Sequence, residues 1–499
     1  MSIAPDSSVA PAIAYARTHR DAALDQLKAL LRIPSVSTLP EHRDDVRRTA
    51  QLLADELIAI GMEHVELITV SNAGSDTMSQ GVSDDGSSHA ASHVAFPPAG
   101  HPLVLADWLH APGAPTVLCY GHYDVQPPDP LDEWLSPPFE PTERDGNLYA
   151  RGAVDDKGQM YMHIKALAAL FATHGGKLPI NVRMVLEGEE EVGGESLAAF
   201  IRSHPGRLQA DFALVSDTEL FAPDLPTLCV GLRGMIYTEI EVRGARTDLH
   251  SGMYGGAAPN PFLALAQILA QLKDPEGRIL IPGVYDAIDA PSADELAAWA
   301  RLPFDEAHYL DSEIGSPALV GEPGYSVLER TWVRPTLDVH GMPGGFIGAG
   351  AKTVIPAKAT AKVSIRLVPP MQPDTTFQQL ADYVASLTPR GVTVETRLIH
   401  SGEPAVIRTD NPYIRAAALA LEQTWGVPPV YVRSGGSIPV VGDFDRVLHI
   451  PSVMMGFGLP DDNLHAPNEK FHIANFHRGI ETLITFFESL GPPTNGASA

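Results

Sequence analysis

The stretch Pro115-Thr-Val-Leu-Cys-Tyr-Gly-His-Tyr-Asp-Val-Gln-Pro127 constrains the fold more than any other part of the chain. A β-prone apolar run enters a glycine and stops at a proline-rich break, the pattern of a buried strand with a polar end. His122 and Asp124 stand two positions apart, so on an extended backbone they share a face. A metal-binding histidine often has a carboxylate behind it that fixes its tautomer, and this spacing suits such a pair. Alone, a His-x-Asp at a strand end is more often structural, and it gains meaning only if other strand ends carry ligands.

They do. From Pro115 onward strand, loop and helix alternate, which predicts a largely parallel sheet with helices on both faces. Strand-like runs end at His122, at Glu189-Glu190-Glu191 and at Asp217, and a fourth, His449–Gly456, leads into a loop carrying His465. Asp155 precedes a helix start. In open parallel sheets ligands gather outside the carboxyl ends of the strands, so these groups can converge. Each has a bland alternative taken singly: a helix cap for Asp155, a solvated loop for the glutamates, a turn for Asp217, the surface for His465.

Near Gly231 the pattern changes. Met235–Arg243, Thr336–Gly341, Ala359–Val368 and Gly391–Ile399 read as strands, with helices at Pro261–Lys273 and Thr376–Leu387. That order is β-α-β-β-α-β, the ferredoxin-like arrangement, with a long insertion at about 274–334. The expected organisation is therefore a catalytic domain in two parts, 1–231 and 401–499, with an inserted lid or dimerisation domain at 232–400. A Ser/Gly/Asp-rich stretch at 71–100 reads as a surface insertion and the tail from Gly491 as disordered.

Composition narrows the function classes. With 61 acidic and 35 basic residues the net charge is −26, which repels nucleic acid. No apolar run is long enough for a membrane span, and the N-terminus lacks the features of a signal peptide. Cys119 and Cys229, the two cysteines, sit in apolar strand-like runs as thiols of a reducing compartment do, and a cytoplasmic location is expected.

The motifs Gly121-His-Tyr-Asp-Val-Gln-Pro127, Arg151-Gly-Ala-Val-Asp-Asp-Lys-Gly158, Glu187-Gly-Glu-Glu-Glu-Val-Gly193, Leu249-His-Ser-Gly252, Gly350-Ala-Lys-Thr-Val-Ile-Pro356, Ser364-Ile-Arg-Leu-Val-Pro369, Gly435-Gly-Ser-Ile-Pro439 and Asp461-Asp-Asn-Leu-His-Ala-Pro-Asn-Glu469 span nearly the whole chain. Together they resemble the dinuclear metallopeptidases of the carnosinase, carboxypeptidase G and aminoacylase family, metallopeptidase family twenty, and within it the cytosolic non-specific dipeptidases. The resemblance implies that His122, Asp155 and Asp217 hold one divalent metal ion and Asp155, Glu191 and His465 a second, with a cis peptide between Asp155 and Asp156. It implies Glu190 as general base, because the family's Glu-Glu pair precedes x-Gly, and Asp124 as the carboxylate that orients His122. It further implies that Arg366, with Thr353, Ser437 and His400, holds a substrate carboxylate. His250 would support the oxyanion across the interface of a homodimer. Ligation by N and O alone fits zinc first, with manganese or cobalt as alternatives.

The activity so implied is metal-dependent hydrolysis of dipeptides. An N-acyl-amino-acid deacylase or a carboxypeptidase would share the metal set, and a non-catalytic peptide-binding homologue would not need Glu190. His163, His174, His204, His340 and His449 match no family site and read as structural or surface residues.

Overall fold

The computed structural model of the chain describes residues 9–70 and 100–492, so the 71–100 insertion, save Gly100, and the tail beyond 492 lie outside the described residues. The chain divides into two compact units. One comprises Met1–Cys229, Arg408–Tyr431 and Asp443–Ala499; the other comprises Val230–Ile407 and Val432–Gly442.

The first unit is built on a mixed sheet. Its strands are β1 (Glu63–Ile68), β2 (Leu103–Trp108) and β3 (Thr116–His122), then, past a hairpin of β4 (Thr142–Arg144) and β5 (Asn147–Tyr149), β6 (Asn181–Glu187), β7 (Phe212–Val215) and the first half of β8 (Thr227–Leu232), whose residues from Val230 on belong to the second unit. The Ser452–Met454 strand inserts between β7 and β8, giving the order β1-β2-β6-β3-β7-(Ser452–Met454)-β8. The central pairs β6–β3, β3–β7 and β7–(Ser452–Met454) are parallel. The flanks β1–β2 and β2–β6 are antiparallel, as is the contact of Ser452–Met454 with β8.

Burial explains the sequence of the central strands. Val117 through His122 are all buried, as a parallel strand covered on both faces must be. The Lys157–Thr173 helix packs in the same core and is buried on nearly every side, which is why its sequence is apolar all round. Gly121 is required by that packing: a Cβ there would meet Met160 Cγ at 2.4 Å. The strand expected at His449–Gly456 is shorter, Ser452–Met454: His449 is left-handed with φ 56, and Pro451 has no N–H to give to a ladder.

The second unit carries the ferredoxin-like order. Its strands are β9 (Gly234–Arg243), β10 (Leu249–His250), β11 (Thr336–Gly341), β12 (Val354–Ile355), β13 (Lys358–Leu367) and β14 (Thr393–Gly402). Four of them form an antiparallel sheet, β11-β13-β9-β14, and β10 pairs with β12 separately. Alternating Ile236, Ile240 and Val242 of β9, with Val363, Ile365 and Leu367 of β13, bury one face against the Pro261–Leu269 and Pro373–Ser386 helices. Residues between them, including Tyr237, Ser364 and Arg366, therefore lie on the opposite face. The β9–β14 pairing sets Met235 opposite Gly402, so the ends of this sheet lie together, as in an insertion. The segment Val432–Gly442 also belongs to this unit, a second excursion of the chain that periodicity alone did not place.

Candidate metal centre

The C-terminal ends of β3, β6, β7 and the Ser452–Met454 strand carry the polar groups of the first unit. His122 is the last residue of β3, Glu190 and Glu191 follow β6 in a short helical turn, and Asp217 follows β7. His465 sits in the loop after Met454 with φ 59, and Asn463 and Asn468 share that left-handed conformation. Asp155 lies just before the Lys157–Thr173 helix, and the Asp155–Asp156 peptide is cis.

Asp155 is the centre of the group. One oxygen, Oδ1, stands 3.1 Å from His122 Nε2, and the other, Oδ2, stands 2.9 Å from His465 Nε2. His122 Nε2 also lies 4.0 Å from Asp217 Oδ2, and His465 Nε2 lies 3.5 Å from Glu191 Oε2. Two triads result, His122–Asp155–Asp217 and Asp155–Glu191–His465, each with its ligand atoms within 4.8 Å of one another. These two sets share one carboxylate and hold only N and O donors, which fits a pair of divalent ions.

The surrounding hydrogen bonds hold this arrangement. His122 Nδ1 lies 3.1 Å from the backbone carbonyl of Asp124 and 3.5 Å from its carboxylate. That carboxylate mainly accepts from the backbone N–H groups of Glu190 and Glu191, at 3.2 and 3.1 Å, so Asp124 braces the glutamate turn as well as the histidine. Of the three glutamates, Glu189 accepts from the N–H groups of His101 and Ser196. Glu191 accepts from Gln126 Nε2 at 2.7 Å and belongs to the second triad. Glu190 alone presents a carboxylate with no hydrogen bond among the described residues.

Two supporting residues were not assigned roles from the sequence. Glu469 is fully buried and accepts from the N–H groups of Gly152, Val154 and Asp155 and from Arg151 Nη1, pinning the loop that carries Asp155. Asp156 Oδ2 accepts from the His122 N–H at 3.2 Å. Both lie inside recognised motifs, but their partners are backbone groups, which side-chain spacing does not reveal.

The substrate-binding candidates all lie in the second unit. Arg366 of β13 donates from Nη1 to Ser437 Oγ at 2.9 Å. The His400 ring stacks on Tyr237 with centroids 5.1 Å apart. His340 stacks on the same tyrosine at 5.2 Å and hydrogen-bonds Ser364. His250 and Thr353 are exposed and adjoin through the β10–β12 pair, where the Ser251 N–H donates to the Thr353 carbonyl. Hydrogen bonds among the described residues link neither of them to Arg366.

Electrostatics in the first unit follow from crowding of acids. Burial, then the neighbouring carboxylates against the opposing pull of His122, push Asp217 up to about 6 and Glu190 and Glu191 well above the usual range. Asp155 goes the other way: burial opposes its charge, but hydrogen bonds from His122 and His465 outweigh it. For His122 burial is likewise outweighed, by Asp124 and Asp155, and its value is raised. A carboxyl raised on folding stabilises the protein below its unfolded value and loses that contribution as pH climbs through the folded one. Raised His122 acts in the same sense at higher pH, while the lowered Asp155 matters only below about pH 4. Chelated protein should therefore lose thermal stability as pH rises from about 4 through about 6 and beyond, and the gap to metal-loaded protein should widen over that range. Melting curves with and without chelator check this; a gap that narrows with rising pH would contradict it.

Comparison with known proteins agrees with this geometry. Residues 118–489 match the family described as Peptidase family M20/M25/M40. The chain is 33% identical over 480 residues to the Cys-Gly metallodipeptidase dug1 of Schizosaccharomyces pombe, covering 94% of this chain and 96% of the relative. It is 30% identical over 491 residues to the Beta-Ala-His dipeptidase of Rattus norvegicus, covering 97% and 95%. The solved structure of the di-peptidase Dug1p from Saccharomyces cerevisiae superposes with a TM-score of 0.83 at 29% identity, covering 97% of this chain and 98% of that one. No helix among the described residues is long and apolar enough to cross a membrane. With most of its length matched and its acidic strand-end cluster in the arrangement just described, the chain belongs to peptidase family M20/M25/M40.

Proposed function

We propose that this protein is a dinuclear metallodipeptidase. The observation that carries the reading is the bifurcated environment of Asp155, one carboxylate oxygen facing His122 and the other His465, beside the unbonded carboxylate of Glu190. His122, Asp155 and Asp217 would hold one divalent ion and Asp155, Glu191 and His465 the other. When bound, such a pair supplies a polarised scissile carbonyl and a water of lowered pKa. Zinc is the first choice, with manganese or cobalt as alternatives.

Glu190 then moves the proton. Its carboxylate, the one of the three glutamates with no hydrogen bond among the described residues, can take a proton from water and return it to the leaving amine. The water oxygen bonds to the carbonyl carbon, the C–N bond breaks, and the proton ends on the amine nitrogen. Asp124 keeps His122 and the Glu190 turn in register. Arg366 and Ser437, with His400 and Thr353, take the substrate's C-terminal carboxylate, a task for which a planar guanidinium is suited. His250 is assigned to the oxyanion in a homodimer, supplied by the neighbouring subunit. The cytoplasm is the proposed compartment, consistent with two buried free thiols.

Purified protein loaded with zinc or manganese should hydrolyse dipeptides such as Cys-Gly and β-Ala-His, the substrates named for its relatives, in preference to N-acetyl amino acids. Deacetylation without dipeptide cleavage would replace this reading with that of a deacylase.

A further inference from the structure

Arg233 stands immediately before β9 and is only 9% exposed, yet among the described residues its side chain meets no carboxylate. Nε donates to the Gly435 carbonyl at 3.0 Å, and Nη1 reaches the Arg334 carbonyl and Thr336 Oγ1, both at 3.4 Å. These partners among the described residues are all neutral oxygens. Asp338 acts on it through space and also lies 3.8 Å from Lys273 Nζ. Burial lowers Arg233 to about 10, and Arg366 pushes in the same direction. A buried cation with no carboxylate in contact is costly to keep charged; Arg233 and Arg366 share the through-space pull of one acid, Asp338, and a bound anion would relieve what that acid leaves.

Hydrogen bonds tie Arg233 to the Arg366–Ser437 pair. The Arg233 N–H donates to the Gly436 carbonyl at 3.1 Å, and its own carbonyl accepts from Ser437 Oγ. Ser437 Oγ in turn accepts from Arg366 Nη1 at 2.9 Å. Arg233 thus clasps the Gly435–Ser437 turn through three hydrogen bonds and joins it to the Arg366 guanidinium. Gly435 leaves room for this: a Cβ there would fall 2.9 Å from Arg233 Nη2 and from the Thr331 carbonyl.

We propose that Arg233 is the second cation of an anion subsite shared with Arg366 and Ser437, and that it makes the enzyme select substrates ending in a free carboxylate over their C-terminal amides. The inference rests on the dipeptidase reading, in which Arg366 and Ser437 receive that carboxylate. Arg233 is a positioning residue: it fixes the turn bearing Ser437 and adds field at the subsite.

The test compares L-alanyl-glycine with L-alanyl-glycinamide as substrates of wild type, Arg233→Gln and Arg233→Lys. Wild type should prefer the free acid. Arg233→Gln should raise KM for the acid about tenfold or more, while kcat on both substrates and KM for the amide change less than about threefold. Arg233→Lys keeps the charge and should retain part of the preference; if Arg233→Gln does not fold, this variant carries the test. An equal loss on acid and amide would reduce Arg233 to a structural residue and overturn the proposal, as would loss of the preference in Arg233→Lys. Wild type that treats acid and amide alike would instead remove the carboxylate subsite itself, and this inference with it.

Discussion

Replacing Glu190 by Gln should lower kcat on dipeptides by about 10²–10⁴-fold while both metal ions stay bound. The substitution preserves shape but removes the group that accepts a proton, and neither adjacent glutamate offers a substitute. Glu189 spends its carboxylate on the His101 and Ser196 N–H groups, and Glu191 faces His465 and Gln126. Glu190 makes no such contact, so its loss should spare folding. Its removal should also relieve acidic crowding, since it raises Glu191 and Tyr120. Steady-state kinetics beside metal analysis of the same preparation checks this. A variant that retains full kcat would remove Glu190 from the mechanism; one that loses metal as well would make it a ligand.

Replacing Asp155 by Asn should do more damage, because it strikes both triads at once. The amide can present one acceptor oxygen but must turn a nitrogen toward either His122 or His465, where a carboxylate oxygen now stands at 3.1 or 2.9 Å. The negative charge that both histidines share is also lost. Affinity for both ions should fall, and dipeptide hydrolysis should drop on the order of 10³-fold or further. Asp217→Asn, by contrast, touches only the triad containing His122, and should weaken one ion more than the other. Glu469 lies one step further out, holding the Asp155 loop by its backbone.

Much of this was legible before the structure. Alternating Met235–Arg243 and Ala359–Val368 fixed the faces of the second unit's sheet because antiparallel strands with one covered face keep a period of two. The strand ends at His122, Glu190, Glu191 and Asp217 could be placed along one sheet edge because parallel strands share a direction. The antiparallel direction of the flanking β1 and β2 was harder: such edges obey no helix-crossover pattern, and the sheet is mixed as a result. The excursion Val432–Gly442 was invisible because a short turn carries no periodicity, although its Arg233 clasp decides where it lies. Asp124 shows a subtler gap. Its spacing from His122 was plain, but its carboxylate is engaged chiefly by the Glu190 and Glu191 N–H groups, a contact that exists only after folding. His340 read as structural or surface, and the stacking that ties it to Tyr237 crosses strands far apart in sequence.

The most direct test of the shared-carboxylate centre is a metal titration of chelated wild type and Asp155→Asn protein, with bound metal and dipeptide hydrolysis measured together. Wild type should bind two equivalents of divalent ion per chain, with full activity only as the second is filled, and Asp155→Asn should bind neither tightly. Full activity at one equivalent, or two tightly held equivalents in Asp155→Asn, would contradict a centre in which Asp155 joins both ions.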